Sequence, residues 1–188
     1  MLFPSRTECM ELLGQFDMPQ NIRRHSVIVA EVAILLADRL NRNGSRLDLQ
    51  LIEAAALLHD VGKMPSIKTR EDHAILGARM LEGIVAPPVA RIVKEHISLD
   101  SSQVDGPVTE SLVVNYADKR VKHDQVVPIE ERYQDLIERY AKGPPQVQFL
   151  LRKLDLYVAL ERTIFSHLMI APQGSEIMGI TIDRVKGA

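Results

Sequence analysis

The stretch LLHDVGK at residues 57–63 decides the fold, because it ends an apolar segment with two adjacent polar side chains. Residues 54–58 are all alanine or leucine, a composition that favours a buried helix. His59 and Asp60 close this helix, and burying them without partners would cost free energy. A bound metal ion would satisfy both side chains at once. A hydrogen-bonded cap at the helix end is the alternative.

Composition limits the class of protein. The 188 residues are 46% hydrophobic and 26% charged, with a formal net charge of -2, which is typical of a soluble globular protein and predicts no bulk nucleic-acid binding. Cys9 is the only cysteine, so an internal disulfide is excluded and a thiolate zinc site is not expected. Residues 1–10 lack the apolar core of a signal peptide, and no apolar run is long enough to span a membrane. We therefore expect a cytoplasmic protein without a membrane partner.

Apolar residues recur with helical spacing almost throughout, which predicts an all-α fold. The predicted helices cover residues 21–42, 48–60, 69–81, 87–96, 109–121, 129–142 and 146–170. Residues 98–107 are polar and predict a loop that could act as a substrate lid. The tail at 176–185 is compatible with a short strand or a packed arm. We expect a compact bundle in which a catalytic domain at 1–125, with its core at about 21–121, carries C-terminal helices and a tail at 126–188.

Side chains that can bind a metal occur on five of these helices, in the order His, His-Asp, His, His, Asp. They are His25, His59, Asp60, His73, His96 and Asp118. Imidazole and carboxylate ligands suit iron, manganese, cobalt, nickel or zinc, and this mixture does not choose among them. Each of these residues alone could be an ordinary surface or packed side chain. His123 and His167 fall outside the pattern, and we interpret them in that way.

This order of ligands resembles the HD-domain superfamily of metal-dependent phosphohydrolases. The resemblance is carried by RHS at 24–26, LHDVGK at 58–63, HAILGA at 73–78, KEH at 94–96 and YADK at 116–119. The HAILG stretch is similar to the HDIG-type subset. The resemblance implies an HD-domain helical bundle in which His25, His59, Asp60 and Asp118 hold a first divalent transition metal. Asp60 would bridge to a second ion, which His73 and His96 complete.

The predicted function is hydrolysis of a phosphate ester or anhydride by metal-activated water, with a small phosphorylated molecule, a nucleotide, as the substrate. Asp60 and Lys63 are the candidate catalytic residues. Lys63 follows the His-Asp pair by one turn and Arg120 lies in a basic run beside Asp118, so both are candidate phosphate-binding residues. A solvated helix face is the alternative for both. No Gly-Tyr-Pro follows residues 59–60, which weighs against a cyclic di-GMP phosphodiesterase.

Three alternatives stay open at this stage. Some members of the superfamily are mixed-valent di-iron oxygenases, and the same ligand order would serve that chemistry. The chain could also be a non-catalytic module that senses a nucleotide. The C-terminal helices could form an oligomerisation arm, which would make the protein a homo-oligomer. Cys9, in a start that we expect to be flexible, has no visible activating base, so a cysteine nucleophile is not expected.

Overall fold

A computed structural model of the chain describes residues 3–166 and 168–186, so His167 lies outside the described residues. Its helices are α1 (Arg6–Gln15), α2 (Gln20–Arg42), α3 (Leu49–Leu58), α4 (Lys63–Thr69), α5 (His73–Leu81), α6 (Pro87–Glu95), α7 (Ser101–Val104), α8 (Glu110–Lys119), α9 (Ile129–Tyr140), α10 (Pro144–Phe165), α11 (Ser175–Met178) and α12 (Ile182–Lys186). One antiparallel hairpin pairs β1 (Val121–Lys122) with β2 (Gln125–Val126). The predicted all-α class is confirmed.

Side-chain caps set where the helices around the core begin. Asp48 accepts a hydrogen bond from the backbone N–H of Leu51 at 3.0 Å and so starts α3. Thr109 starts α8 in the same way. Asp72 caps α5 through two backbone N–H groups, so this helix begins at His73 and not at residue 69, where the sequence predicted its start. These caps satisfy N–H groups that a helix cannot pair internally.

The core is built around α2, which packs against α3 and α8, while α3 also contacts α1 and α6. α1 is a correction to the sequence analysis, which expected a flexible start. Its Cys9 and Leu13 are fully buried. Burial raises the pKa of the Cys9 thiol to about 12, so this thiol stays protonated and unreactive at neutral pH.

Other short elements escaped the sequence analysis. α4 begins directly after Gly62, and Pro65 lies in its first turn, where a missing N–H breaks no helical hydrogen bond. The polar segment 98–107 contains α7, which a capping box at Asp100 starts. The predicted helix over 109–121 ends at Lys119, because the chain turns into the hairpin. The tail forms two short helices in place of a strand.

Arg120 ties the C-terminal segment to the core, because its guanidinium is fully buried there. Nε donates to the carbonyl of Val127 at 2.7 Å, Nη1 to the hydroxyl of Tyr116 at 2.7 Å, and Nη2 to the carbonyl of Pro172 at 2.8 Å. α10 packs against α7, α8 and α9. Among the described residues, no helix has both the length and the apolar character needed to cross a membrane.

Candidate metal centre

The structure brings together all six predicted ligands, although they come from five separate segments. His25 lies on α2, His73 is the first residue of α5 and Asp118 lies near the end of α8, while His59, Asp60 and His96 directly follow α3 and α6. Five of the six are buried, and only His73 is partly exposed. Because the polar atoms of these residues converge inside the core, they need a common partner there.

Four of the ligands form what we call the inner group: His25, His59, Asp60 and Asp118. The Nε2 atom of His25 lies 3.1 Å from Oδ1 of Asp118 and 3.9 Å from Oδ2 of Asp60. Nε2 of His59 lies 3.5 Å from Oδ2 of Asp60 and 3.5 Å from Oδ1 of Asp118. Four ligand atoms therefore surround one small volume between α2, α3 and α8.

The outer group consists of Asp60, His73 and His96. Nε2 of His73 lies 3.6 Å from Oδ1 of Asp60 and 3.2 Å from Nε2 of His96. Asp60 thus directs one carboxylate oxygen toward each group. The ligand atoms of His25, His59 and Asp60, and those of Asp60, His73 and His96, lie within 4.8 Å of one another, as do those of His59, His96 and Asp118.

Three of the imidazoles are held in one orientation by carbonyl oxygens. Nδ1 of His59 donates to the carbonyl of Ala56 at 2.7 Å, and Nδ1 of His96 donates to the carbonyl of Val93 at 2.6 Å. Nδ1 of His25 donates to the carbonyl of His123 at 2.7 Å. A proton on Nδ1 leaves a lone pair on Nε2, which is the arrangement of metal-binding histidines.

The Nε2 atom of His59 gives the sharpest test of the fit to a metal. It is buried and has no hydrogen-bond partner among the described residues. A buried polar nitrogen without a partner costs about 1–3 kcal/mol. A cation at this point would pair with it and with both carboxylates, so these residues fit a divalent metal ion.

The pKa values of the site follow from burial and from the packing of like and unlike charges. Burial would lower the pKa of His59, but the carboxylates of Asp60 and Asp118 outweigh burial and raise it. Burial and the charge of His59 lower the pKa of His96 to about 3. Burial would raise the pKa of Asp60, but the positive charge of His59 and of Lys63 brings it below its ordinary value. Both carboxylates are thus ionised and ready to bind a cation.

Gly62 allows α5 to approach closely the turn at residues 59–62, which carries His59 and Asp60 and which we call the metal-binding turn. A Cβ atom at Gly62 would lie 2.2 Å from the carbonyl oxygen of His73 and 2.5 Å from the backbone nitrogen of Gly77. Such distances are far inside van der Waals contact. The sequence analysis did not predict this close approach at Gly62. The signal was nevertheless present, because glycines follow both His59-Asp60 and His73 at short spacing.

A cleft of about 570 Å³ opens beside the inner group, between the start of α2, α4 and α9. His25, Asp60 and Lys63 all line it. Nζ of Lys63 lies 2.7 Å from Oδ2 of Asp60, and the Lys63 side chain is half-exposed. A phosphate at the metal centre would therefore lie within reach of this ammonium group.

The structure does not bring Arg120 to this cleft. Its donors bind the carbonyl groups of residues 127 and 172, and its guanidinium is fully buried. The prediction that Arg120 binds phosphate is therefore wrong for this geometry. His123 is exposed, but its carbonyl group orients His25, a role that a sequence pattern of side chains could not reveal.

Comparison with known proteins gives a family match and several relatives. The chain is 30% identical to a tRNA (cytidine(56)-2'-O)-methyltransferase of Picrophilus torridus, in a 151-residue alignment that covers 73% of this chain and 41% of that protein. It is 24% identical to an uncharacterised protein of Methanocaldococcus jannaschii, in a 145-residue alignment that covers 70% of this chain and 85% of that protein. It is 32% identical over 100 residues to a ribonuclease Y of Rubrobacter xylanophilus, which is 53% of this chain and 18% of that protein.

The chain spans less than half the length of the tRNA methyltransferases that it matches. No solved structure gives a significant match. The model of the HD domain family matches residues 22–141, which is well over half of the chain and includes every candidate ligand. The match also runs through α9, past the domain boundary that the sequence suggested at residue 125. The chain therefore belongs to the HD domain family, within the superfamily of metal-dependent phosphohydrolases.

Proposed function

We propose that this protein hydrolyses a phosphate ester or anhydride of a nucleotide, using two divalent transition-metal ions held by the inner and outer groups. The observation that carries the proposal is the convergence of oriented Nε2 atoms and ionised carboxylates, in which the buried Nε2 of His59 has no hydrogen-bond partner among the residues that the structure describes. Divalent ions bound there would neutralise phosphate charge and lower the pKa of water from about 15.7 toward 7.

The residues of the chain have distinct roles in this proposal. Asp60 belongs to both groups and fixes their relative position, since each of its oxygens faces a different group. Lys63 pairs with Asp60 and faces the cleft, where its ammonium group would hold a non-bridging phosphate oxygen. The carbonyl groups of residues 56, 93 and 123 keep the imidazoles in the orientation that binding needs.

The nucleotide part of the proposal rests on the positively charged residues that line the cleft, which are Arg24, Lys63, Arg132 and Arg139. The names of the relatives give it further support. Two of the relatives, the ribonuclease Y and the tRNA methyltransferase, are named for activities on RNA. An RNA phosphodiester therefore belongs beside mononucleotides among the candidate substrates. A cytoplasmic location and a homo-oligomeric state remain predictions, and a mass measurement over a range of protein concentrations would test the second.

The test is a metal and substrate screen with a matched variant. Protein purified without added metal is analysed for bound iron, manganese, cobalt, nickel and zinc, and each metal is then restored before assays on nucleotides and short RNA. We expect phosphate release that requires a metal and that Asp60→Asn abolishes. Dioxygen consumption with an iron-loaded protein would favour an oxygenase, and tight nucleotide binding without turnover would favour a sensing module. Either result, without hydrolysis, would refute the proposal.

A further inference from the structure

Two arginines of α9, Arg132 and Arg139, line the cleft and share a single carboxylate, that of Asp135. Nη1 of Arg132 and Nε of Arg139 both lie 2.9 Å from the carboxylate of Asp135, which is buried. Two guanidinium groups thus share one carboxylate, and both arginines line the cleft. One positive charge therefore remains for an anion that enters the cleft.

This arginine pair is directly connected to the inner group. Nη2 of Arg139 lies 2.7 Å from Nε2 of His123, and the carbonyl of His123 accepts the hydrogen bond from His25. His123 is therefore the one residue between the candidate ligand His25 and Arg139 in this chain of contacts. A ligand that spans from the metal centre to α9 would stay within a single cleft.

The other cation on this side of the cleft, Arg24, is already neutralised. Its Nη2 lies 2.6 Å from the carboxylate of Asp124. The Nε atoms of Arg24 and Arg132 are both buried and reach no acceptor in the part of the chain that the structure describes. Because unpaired guanidinium donors are costly, an anion that supplies acceptor oxygens here is favoured.

The cleft also offers an apolar rim. Met64, Ile67 and Tyr140 line it and are 38%, 70% and 63% exposed. Side chains of this kind provide the surface on which a nucleobase packs or stacks. A volume of about 570 Å³ is within the range of sites for one small ligand.

We propose that the substrate is a nucleotide with at least two phosphate groups, one at the metal centre and another on the Arg132–Arg139 pair. This inference deepens the proposed function and rests on it. A nucleoside monophosphate would leave the arginine pair without its anion. The pair therefore selects for nucleoside diphosphates and longer phosphate chains.

Binding of stable analogues to metal-loaded protein tests this inference without turnover. The two probes are adenosine 5′-(α,β-methylene)diphosphate, which carries two anionic groups, and methylphosphonate, which carries one. The main variant is Arg139→Gln, in which Arg132 still neutralises Asp135, with Arg139→Lys as the charge-conserving variant. Arg152→Gln, at an exposed position on α10 outside the cleft, is the matched control.

We expect Arg139→Gln to weaken the diphosphate analogue by about 10-fold, the loss of one charged hydrogen bond. Methylphosphonate affinity and metal content should not change, Arg139→Lys should recover part of the loss, and Arg152→Gln should bind like the parent. Arg132→Gln should act like Arg139→Gln.

Three results would overturn the inference: no binding of the diphosphate analogue to the parent, equal binding to the parent and both glutamine variants, or an equal loss for both probes. A parent that binds the analogue through Arg139 but hydrolyses nothing would refute the proposed function alone. A parent that hydrolyses nucleotides without any dependence on these arginines would refute this inference alone.

Discussion

The inner and outer groups share Asp60 but differ in how the fold supports them. The inner ligands His25 and Asp118 belong to α2 and α8, which pack directly on α3 in the centre of the core. The outer ligand His73 begins a nine-residue helix, and its side chain is 29% exposed. A ligand held by several packed helices has little freedom, whereas one at the start of a short helix depends on a few contacts. We therefore expect the inner group to bind its ion more tightly.

The largest effect should come from the residue that joins the two groups. Asp60→Asn keeps the shape of the side chain but removes the charge that faces both groups. We expect both ions to be lost and turnover to fall by at least about 1,000-fold, or roughly 4 kcal/mol of activation free energy. Metal analysis and phosphate release measure the two effects. Retention of both ions and of turnover would contradict the role of Asp60.

A smaller and more local effect should follow from Gly62→Ala. The added methyl group would collide with the backbone of His73 and Gly77, so α5 must move away from Asp60. We expect a loss of about 1–3 kcal/mol in the free energy of unfolding, together with loss of the outer ion. Urea unfolding and metal analysis would show this.

Gly14→Ala is the control for this substitution. Gly14 lies within α1, and a methyl group there meets no atom within 4 Å. We expect this variant to be as stable as the parent or more stable by up to about 1 kcal/mol, because alanine favours a helix. If Gly62→Ala behaved like Gly14→Ala, the close packing of α5 on the metal-binding turn would not matter for the outer group.

His73→Gln should separate the two groups without disturbing the core. The substitution removes one outer ligand on a partly exposed helix start and leaves every inner ligand in place. We expect the affinity of the outer group for its ion to fall by roughly 10–100-fold, and the affinity of the inner group to stay unchanged. In a titration with a chelator, the two steps of metal release should lie further apart in the variant than in the parent. Loss of both ions together would mean that the groups do not bind independently.

The smallest effect concerns protons in the metal-free protein. The pKa of His59 is raised and that of His96 is lowered to about 3, from an ordinary value of 6.5 for each. His59 should therefore keep its proton to a pH above 6.5, whereas His96 should stay neutral down to about pH 3.

The direction in which stability changes with pH follows from these two pKa shifts. His96 contributes stability that is present above pH 6.5 and is lost as the pH falls toward 3, because the unfolded chain binds the proton first. His59 contributes stability that is present below pH 6.5 and is lost at higher pH. Histidine proton NMR after chelation measures both midpoints. Equal titration midpoints for His59 and His96 would show that the inner and outer groups do not differ in their electrostatic environment.

The sequence singled out the six residues that the structure brings together, because side-chain type and helical spacing carry that information. His25, His59, Asp60, His96 and Asp118 each end or face an apolar helix, so their burial followed from the pattern. The sequence could not show how closely α5 approaches Gly62, because that contact joins backbone atoms from two segments. It also could not show that Arg132 and Arg139 of α9 line the same cleft as His25 and Asp60, because that placement depends on how α9 packs on the rest of the chain.

Arg120 failed as a prediction for a related reason. A basic run beside a ligand resembles a phosphate site, and only the packing of residues 127 and 172 shows where its guanidinium goes. Short elements such as α4 and α7 escaped because one or two turns of helix have too few residues to show a period.

The position of Arg120 couples distant parts of the chain. It follows Asp118 by two residues, and it binds the carbonyl of Pro172 in the segment before α11. Removal of that segment would strip a buried guanidinium of an acceptor and strain the end of α8, where Asp118 must stay still. The segment at Pro172 thus helps to hold in place a candidate ligand, Asp118, that lies more than fifty positions earlier.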